Sequence, residues 1–554
     1  MINEQNMTQK NKLILFIFWL LPLGSGAQDA VLNVLKDELD QQVAQFRNMP
    51  TSPYYINIRI EDKILYNMTS EFGELTQSQR EESSQLMSHL RFGDYQIDSD
   101  LGEHAAPLSA SIQPAKLPRD FRENEAALRE AMRQDIKARY ELKGLVYFET
   151  VVKGTWAEMK EEYDSAPNFT AASPSHYYEP PLLPNATQFD RNLWEEKIGQ
   201  YSAALKDLEG VISSRAMMNY HIVRRYFVST DGDVVAQNLT YCSLTVVASV
   251  QADDDTPLRL HRHYFAFTPD SLPNSEHIIR EVTEMGATLT ALRIAPIVDP
   301  YTGPALLTGN ASAVFFHEFF GHRIEGQAMK SVAAARQTFK SLRGQSVLSE
   351  CFSIYDDPTL RYFQGQPLSG HYLYDEQGMV GGRVNVVEKG RMKDFLMTRS
   401  AIDVQSGTNG HARAQMGFDP TSRQSNLIIQ TSNHKTEAEL RQLLLDEVRC
   451  QGKQYGFLFV QVTGGFTQTF TANANTFEIY PLEVYRVYLD GRPDELVRGV
   501  KFMGDPLEVF ANIVYAGGDS EIFNGICGAA SGSVFAAAIS PMILIDKIEI
   551  QRLL

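Results

Sequence analysis

Apolar residues recur along this chain with two periods, and the places where one period gives way to the other predict its elements. Residues 31–47 carry a helical stripe, after which SPYYINIRIEDKILYNMTSEFGEL (52–75) sets Ile56, Ile58 and Ile60 against Tyr55, Asn57 and Arg59. That strict alternation predicts two strands joined in a hairpin. Leu128, Met132, Ile136 and Tyr140 then mark one amphipathic helix. Trp194, Ile198, Tyr201, Leu205, Leu208 and Ile212 mark a second, predicted to run through residue 212. Both stripes read as core-facing. Between them SPSHYYEPPLLPNAT (173–187) reads as an exposed proline-rich loop. From residue 219 the texture turns to strands, with a hairpin at Asp231-Gly232. A helix near 275–290 leads to the turn-rich IAPIVDPYTGPALLTGN, and the rest ends in long strands with tight turns at Lys389-Gly390 and Asp490-Gly491. The expected fold is α+β. Its N-terminal part holds hairpins and long helices, and its C-terminal part is a large, curved, barrel-like antiparallel sheet. The divisions expected are 1–27, 28–190, 191–295 and 296–554.

Composition narrows the function classes. An apolar share of 43% and a charged share of 21% over 554 residues describe a folded chain of more than one domain. A net charge of −17, with no basic patch, disfavours nucleic acid as a partner. Lys10 and Lys12 precede LILFIFWLLPLGSGA, an apolar run closed by small residues, which reads as a cleaved leader ending at residue 27. It is shorter than the ~20 residues of a stable membrane span, so a periplasmic or extracellular chain is expected. Four cysteines (Cys242, Cys351, Cys450, Cys527) are too sparse for a disulfide scaffold. Asn168, Asn185 and Asn238 lie in sequons that matter only where the source glycosylates.

The chemistry concentrates in SAVFFHEFFGHRIEG (312–326), a helix that Asn310 or Ser312 could cap. His317 and His322 are five apart. On an ideal helix such a pair is ~140° apart and cannot share one ion. A single widened, π-type turn at Gly321 would bring the imidazoles to one face. A third ligand is then required. Cys527, between Gly525 and Gly528 in NGICGAASG, is a candidate, although its surroundings taken alone read first as those of a small buried free cysteine. Glu325, three residues past His322, could ligate or support a ligand. His261 and His263 share a strand face with no partnering carboxylate and read as strand decoration.

At these residues the chain resembles the TldD/PmbA family of metalloproteases. HEFFGH (317–322) matches the family's HExxxH, and GICG (525–528) matches its distant glycine-rich cysteine motif. GRMKDFLMTRSA (390–401), SGTNGHARA (406–414) and FVQVTGGFTQTF (459–470) follow in the family's order. The resemblance implies that His317, His322 and Cys527 bind one Zn2+ per chain and that Glu318 is the general base. It further implies peptides or unfolded segments as substrates and a dimer, with itself or with a paralogue. One departure stands out. The Lys and Gly-Gln that often follow the family's cysteine are replaced here by AASGSVFAAAISP. For substrate contacts the expected residues are His411 and Arg413, as oxyanion donors, and Gly464 and Gly465, in strands that could receive an extended peptide. The competing reading is a non-catalytic scaffold or partner subunit that binds peptides. An older family label, DNA-gyrase modulator, sits poorly with a leader and an acidic chain.

Overall fold

The computed structural model describes residues 29–49, 51–100, 113–152, 166–330, 339–403, 406–467 and 477–553. The leader expected at 1–27 lies outside the described residues. No helix among them is long and apolar enough to cross a membrane.

Two sheets organise the chain, and the first ends before the helix Ser275–Ile294 while the second opens at Tyr301. The first is a seven-stranded sheet running Ala115–Lys116, Glu74–Phe92, Pro53–Glu71, Val211–Ser229, Val234–Gln251. Pro257–Ala266 and the short parallel strand His176–Tyr178 both pair on Val234–Gln251. Segments on both sides of residue 190 therefore contribute to one sheet. The proline-rich stretch expected as loop supplies His176–Tyr178 because Ser175 is fixed on both sides. Its N–H donates to Asp233 Oδ1 (2.7 Å), and its carbonyl accepts from Val234 N (2.8 Å).

Helices cover one face of this sheet. Leu32, Leu35 and Leu39 of Ala30–Phe46, with Leu128, Met132 and Ile136 of Glu125–Val152, pack on Ile56, Ile58 and Ile60. Trp194, Ile198 and Tyr201 of Arg191–Ala203, with Ile278, Val282 and Leu289, pack on Met218, Leu244 and Val246. The helix that was expected to reach Ile212 stops at Ala203, and Ile212 stands 51% exposed in the next strand. Leu205 and Leu208 still reach the core. They do so from successive tight turns (Leu208 N to Leu205 O, Val211 N to Leu208 O), whose three-residue step imitates a helical stripe.

The opposite face carries the polar set, but water does not cover it. Tyr55, Asn57 and Arg59 are buried, as are the isoleucines between them. Arg59 donates to the carbonyl of Phe418 (2.7 Å), Arg225 pairs with Glu376 (2.7 Å), and Gln237 donates to Tyr374 O (2.7 Å). His89 stands between Asp100 (2.6 Å) and Asp419 (2.9 Å). This face docks on the C-terminal half. A small aromatic cluster joins the two, with Phe535 stacked on Tyr241 at a centroid distance of 4.1 Å and edge-on to His221 at 5.5 Å.

The second sheet has twelve strands and closes on itself. Tyr301–Leu307 lies between Gly532–Arg552 and Tyr455–Thr467; the latter pairs with Phe477–Tyr488, which pairs with Val500–Gly504, which returns to Gly532–Arg552. From this ring an arm extends through Asn426–Thr431, Phe352–Asp356 and Val384–Glu388. Gly532–Arg552 also forms a long hairpin with Ile513–Ala529. The helix Gly309–Phe319 packs against the ring, and Phe315, Phe316, Phe319 and Phe320 are fully buried around Phe502 and Phe510.

The docked face generates a pH prediction. Burial, then nearby Lys63, pushes the His221 imidazole down from 6.5 to about 4. A base depressed by folding contributes stability that is complete above the unfolded value and is lost as pH falls through the folded one. Melting temperature should therefore decline between pH 6.5 and about 4, and decline less in His221→Gln. Superimposable melting curves for the two proteins across that window would rule out His221 as a contributor.

Candidate metal centre

The motif helix begins at Thr308, whose Oγ1 accepts from Ala311 N, rather than at the expected caps. Asn310 and Ser312 are engaged elsewhere: Asn310 N–H donates to Glu521 Oε2 (2.6 Å), and Ser312 Oγ meets Ser540 Oγ (2.7 Å). The helix ends at Phe319, and here the expected widened turn is corrected. The last helical bond is Phe320 N to Phe316 O, after which Arg323 N bonds Phe320 O and Ile324 N bonds Gly321 O. The chain tightens into a 3₁₀ turn instead of loosening. Arg323 donates from Nη1 to the freed Phe319 carbonyl (2.7 Å). Gly321 is required by proximity, since a Cβ there would stand 1.8 Å from Gln424 Oε1.

The tight turn has the effect that the widened one was invoked for. The His317 and His322 rings meet edge to face at 5.2 Å between centroids. Cys527, near the tip of the C-terminal hairpin, completes the group, and donor atoms of the three residues all lie within 4.8 Å of one another. Cys527 Sγ is 3.4 Å from His322 Nε2. Zinc bonds of ~2.1 Å to nitrogen and ~2.3 Å to sulfur, at a tetrahedral angle, place two such donors about 3.6 Å apart. The spacing fits a shared ion. His317 Nδ1 is buried without a hydrogen-bond partner, an orphan that is costly in a site built only for packing.

Electrostatics favour the ligating form of the sulfur. Burial alone would push the Cys527 thiol up, but His322 and His317 beside it pull it well below the ordinary thiol range. In return, and against burial, the thiolate and Glu325 lift His322 well above the usual histidine value. His317 is lifted too, against its own burial, by Cys527 and Glu318. Thiolates rather than thiols bind metal, so the sulfur is held in its ligating form, and an incoming cation would displace the protons that the thiolate favours on the two imidazoles.

The remaining expected residues divide. Glu318 Oε2 is 3.8 Å from His322 Nε2, on the metal-facing side of that ring. Gly465 lies against Glu318, where a Cβ would sit 2.7 Å from its Cγ, and Gly464 adopts φ +147° beside it. Glu325 faces the other ring nitrogen, Nδ1, at 3.3 Å, which makes it a support for His322 and not a ligand. His411 and Arg413 are not brought to the cluster. His411 is wholly buried between Asp356 (Nε2, 3.0 Å) and Asn409 (Nδ1, 3.1 Å). Arg413 donates to the carbonyls of Gln424 and Phe535 beneath the Tyr372 ring. Both are buried and engaged by groups of the fold itself rather than presented to a substrate carbonyl. His261 and His263 lie in the first sheet, on the strand Pro257–Ala266.

Sequence reasoning passed over Arg423 and Gln424. Gln424 Nε2 donates to His317 O (3.2 Å), and Arg423 donates to Cys527 O (2.7 Å). Their targets are main-chain carbonyls, which leave no trace in residue type, so TSRQSN carried no signal.

Two outcomes test the centre. Purified protein should carry about one zinc per chain, and Cys527→Ser should lower that content at least ten-fold by elemental analysis. Gly321→Ala, which must displace Gln424, should cost about 1–3 kcal/mol in denaturant unfolding and weaken zinc retention as well. Undiminished zinc in Cys527→Ser would remove the sulfur from the site.

Comparison with known proteins gives this geometry a lineage. Residues 300–552 match the PmbA/TldA metallopeptidase C-terminal domain. A metalloprotease of Archaeoglobus fulgidus is 29% identical over 239 residues, which is 43% of this chain and 51% of that protein, so the match spans about half of its length. A zinc metalloprotease TldD homolog of Saccharolobus solfataricus is 23% identical over 373 residues, covering 64% of this chain and 76% of its own. In fold, the structure of TldE from Thermococcus kodakarensis superposes with a TM-score of 0.61 at 12% identity, over 94% of this chain and 100% of that one. The matched domain begins one residue before the strand that leads into the motif helix and ends with the strand that closes the ring. It thus contains every residue of the centre: residues 300–552 match a PmbA/TldA metallopeptidase C-terminal domain, in a chain similar to proteins named metalloprotease and TldD homolog.

Proposed function

We propose that this chain is a zinc-dependent peptidase acting on peptides or unfolded segments, with His317, His322 and Cys527 as ligands and Glu318 as general base. The observation that carries the reading is the convergence of three ligating side chains with a carboxylate facing the same side. The donor set of two imidazoles and one thiolate suits zinc. When bound, zinc supplies a Lewis acid that polarises a scissile carbonyl and acidifies an adjacent water.

The chain's own residues supply the rest. Glu318 follows a ligand directly in sequence, so its carboxylate reaches the open side of the site without entering the ligand set. There it takes a proton from water and returns it to the leaving amine. The Glu318 side chain is 14% exposed and that of His322 12%, enough for a substrate edge to approach and too little for bulk water to fill the site. The missing Cβ at Gly465 leaves Glu318 flanked by bare backbone, which suits an extended substrate bound through main-chain hydrogen bonds. The strand there is irregular, with register shifts between Val462 and Gly465, so carbonyls and amides are freed from regular pairing. We further propose that the protein is exported after removal of its leader and works as a dimer. N-terminal sequencing of secreted material starting near Gln28, and mass measurement in solution, address these two points.

Glu318→Gln should keep its zinc while losing about a hundred-fold or more of its peptide hydrolysis. Zinc kept with undiminished hydrolysis would reject Glu318 as the base. Zinc present in a parent protein that cleaves no unfolded substrate would instead favour the partner-subunit reading.

A further inference from the structure

Arg423 lies on the short segment between Thr421–Ser422 and Asn426–Thr431, is 1% exposed, and spans the two halves of the centre. One edge of its guanidinium holds the C-terminal hairpin. Nη2 donates to the carbonyl of Cys527 (2.7 Å), while Nη1 donates to Ser531 Oγ and Gly532 O (3.0 Å each). Its Nε stands 3.5 Å from Glu325 Oε1, and the same oxygen stands 3.3 Å from His322 Nδ1. Both of these are ion-pair contacts and not aligned hydrogen bonds, since Arg423 Nε and Glu325 Oε1 lack a hydrogen-bond partner. A continuous path therefore runs from one ligand through Glu325 and Arg423 to another.

We infer that Arg423 is a positioning residue that couples the His322 and Cys527 ligands, so that each is held at the spacing the other requires. This rests on the zinc reading above. The planar fork of arginine can hold a carbonyl on one edge and a carboxylate on another at fixed relative positions, whereas a lysine ammonium offers a point charge. Glu325, packed against Nδ1 at 3.3 Å, restrains the His322 ring by its charge and bulk and leaves Nε2 for the ion. A buried carboxylate so near a ligand needs a cation against it, which Arg423 provides. The hairpin turn beyond Cys527 presents Ser531 Oγ and Gly532 O to the same guanidinium.

The test is a double-mutant cycle on metal affinity, read by chelator competition with zinc alone. It compares the parent, Arg423→Met, Glu325→Gln and the double variant, with the thermal stability of each metal-free protein measured in parallel. Arg399→Met serves as control, because Arg399 is equally buried but donates to Thr170 O and Asp231. Arg423→Met should weaken zinc binding about ten- to hundred-fold, and Glu325→Gln similarly. The double variant should lose little more than the worse single variant, because the two act as one unit. Arg399→Met should lose thermal stability yet hold zinc within about three-fold of the parent. Cobalt substituted for zinc should show a shifted visible spectrum in Arg423→Met and not in Arg399→Met. Multiplying losses, or equal losses in the two arginine variants, would overturn the coupling while leaving the zinc reading intact. A parent that binds no zinc overturns both. Should Arg423→Met fail to fold, Arg423→Lys, which keeps the charge and loses the fork, carries the same cycle.

Discussion

The centre depends on two main-chain carbonyls being gripped by adjacent side chains. Gln424 holds the carbonyl of His317 and Arg423 holds that of Cys527. The neighbours continue the strip, with Ser422 Oγ accepting from Gln327 N and Ser425 N donating to Asp356. Each of these bonds is buried or nearly so. Breaking one leaves an unsatisfied polar group in a low-dielectric interior, at a cost of about 1–3 kcal/mol. A strip four residues long thus ties a helix end, the turn after it, a hairpin tip and the interior of the sheet to one another.

The N-terminal half contributes to the same rigidity from a distance. Its polar sheet face, buried against the C-terminal half, matches charge to charge and donor to carbonyl. Burial of ionic groups is unfavourable unless they are paired and hydrogen-bonded. Here Arg225 meets Glu376, and Arg399 meets Asp231 while its guanidinium covers the Phe169 ring. An apolar patch interrupts this face, in which Phe535 stacks on Tyr241 and Tyr372 packs with Val223 and Leu239. Phe535 lies opposite Ile526 in the hairpin, one residue before Cys527, and its carbonyl is held by Arg413. Docking the first sheet therefore fixes the hairpin tip that delivers the sulfur, although no residue of that sheet reaches the centre itself.

What the sequence disclosed follows from which interactions are periodic. Ile56, Ile58 and Ile60, or Leu128, Met132 and Ile136, repeat with the geometry of their element, so strand and helix were legible. Tyr55, Asn57 and Arg59 repeat as well, but alternation distinguishes only apolar from polar faces and not water from a second domain. Ile212 continued a stripe whose helix had already ended, because tight turns share its spacing. In the centre, His317, Glu318, His322 and Cys527 were legible as chemistry. Arg423 and Gln424 were not, because a side chain that holds a carbonyl does so irrespective of which residue supplies it. His411 and Arg413 show the converse: residue types suited to catalysis, placed where the fold itself uses them.

The histidine spacing raises a more general point about helix ends. Two residues five apart diverge on a regular helix, and inserting a residue's worth of slack is one way to reunite them. This chain takes the other way. It stops the helix between the ligands, so that the second ring no longer belongs to the same cylinder and its direction is set by the turn. That solution demands partners for the carbonyls freed at the helix end, and they are present in Arg323 for Phe319 and Gln424 for His317. It also demands a glycine at the point where the turn meets Gln424. A widened helix would run on past His322 and leave one carbonyl unpaired at the bulge instead of the carbonyls of a whole helix end. The two carbonyl donors are thus the physical signature of a helix terminated between the two histidines, with Gly321 giving Gln424 the room to reach the His317 carbonyl.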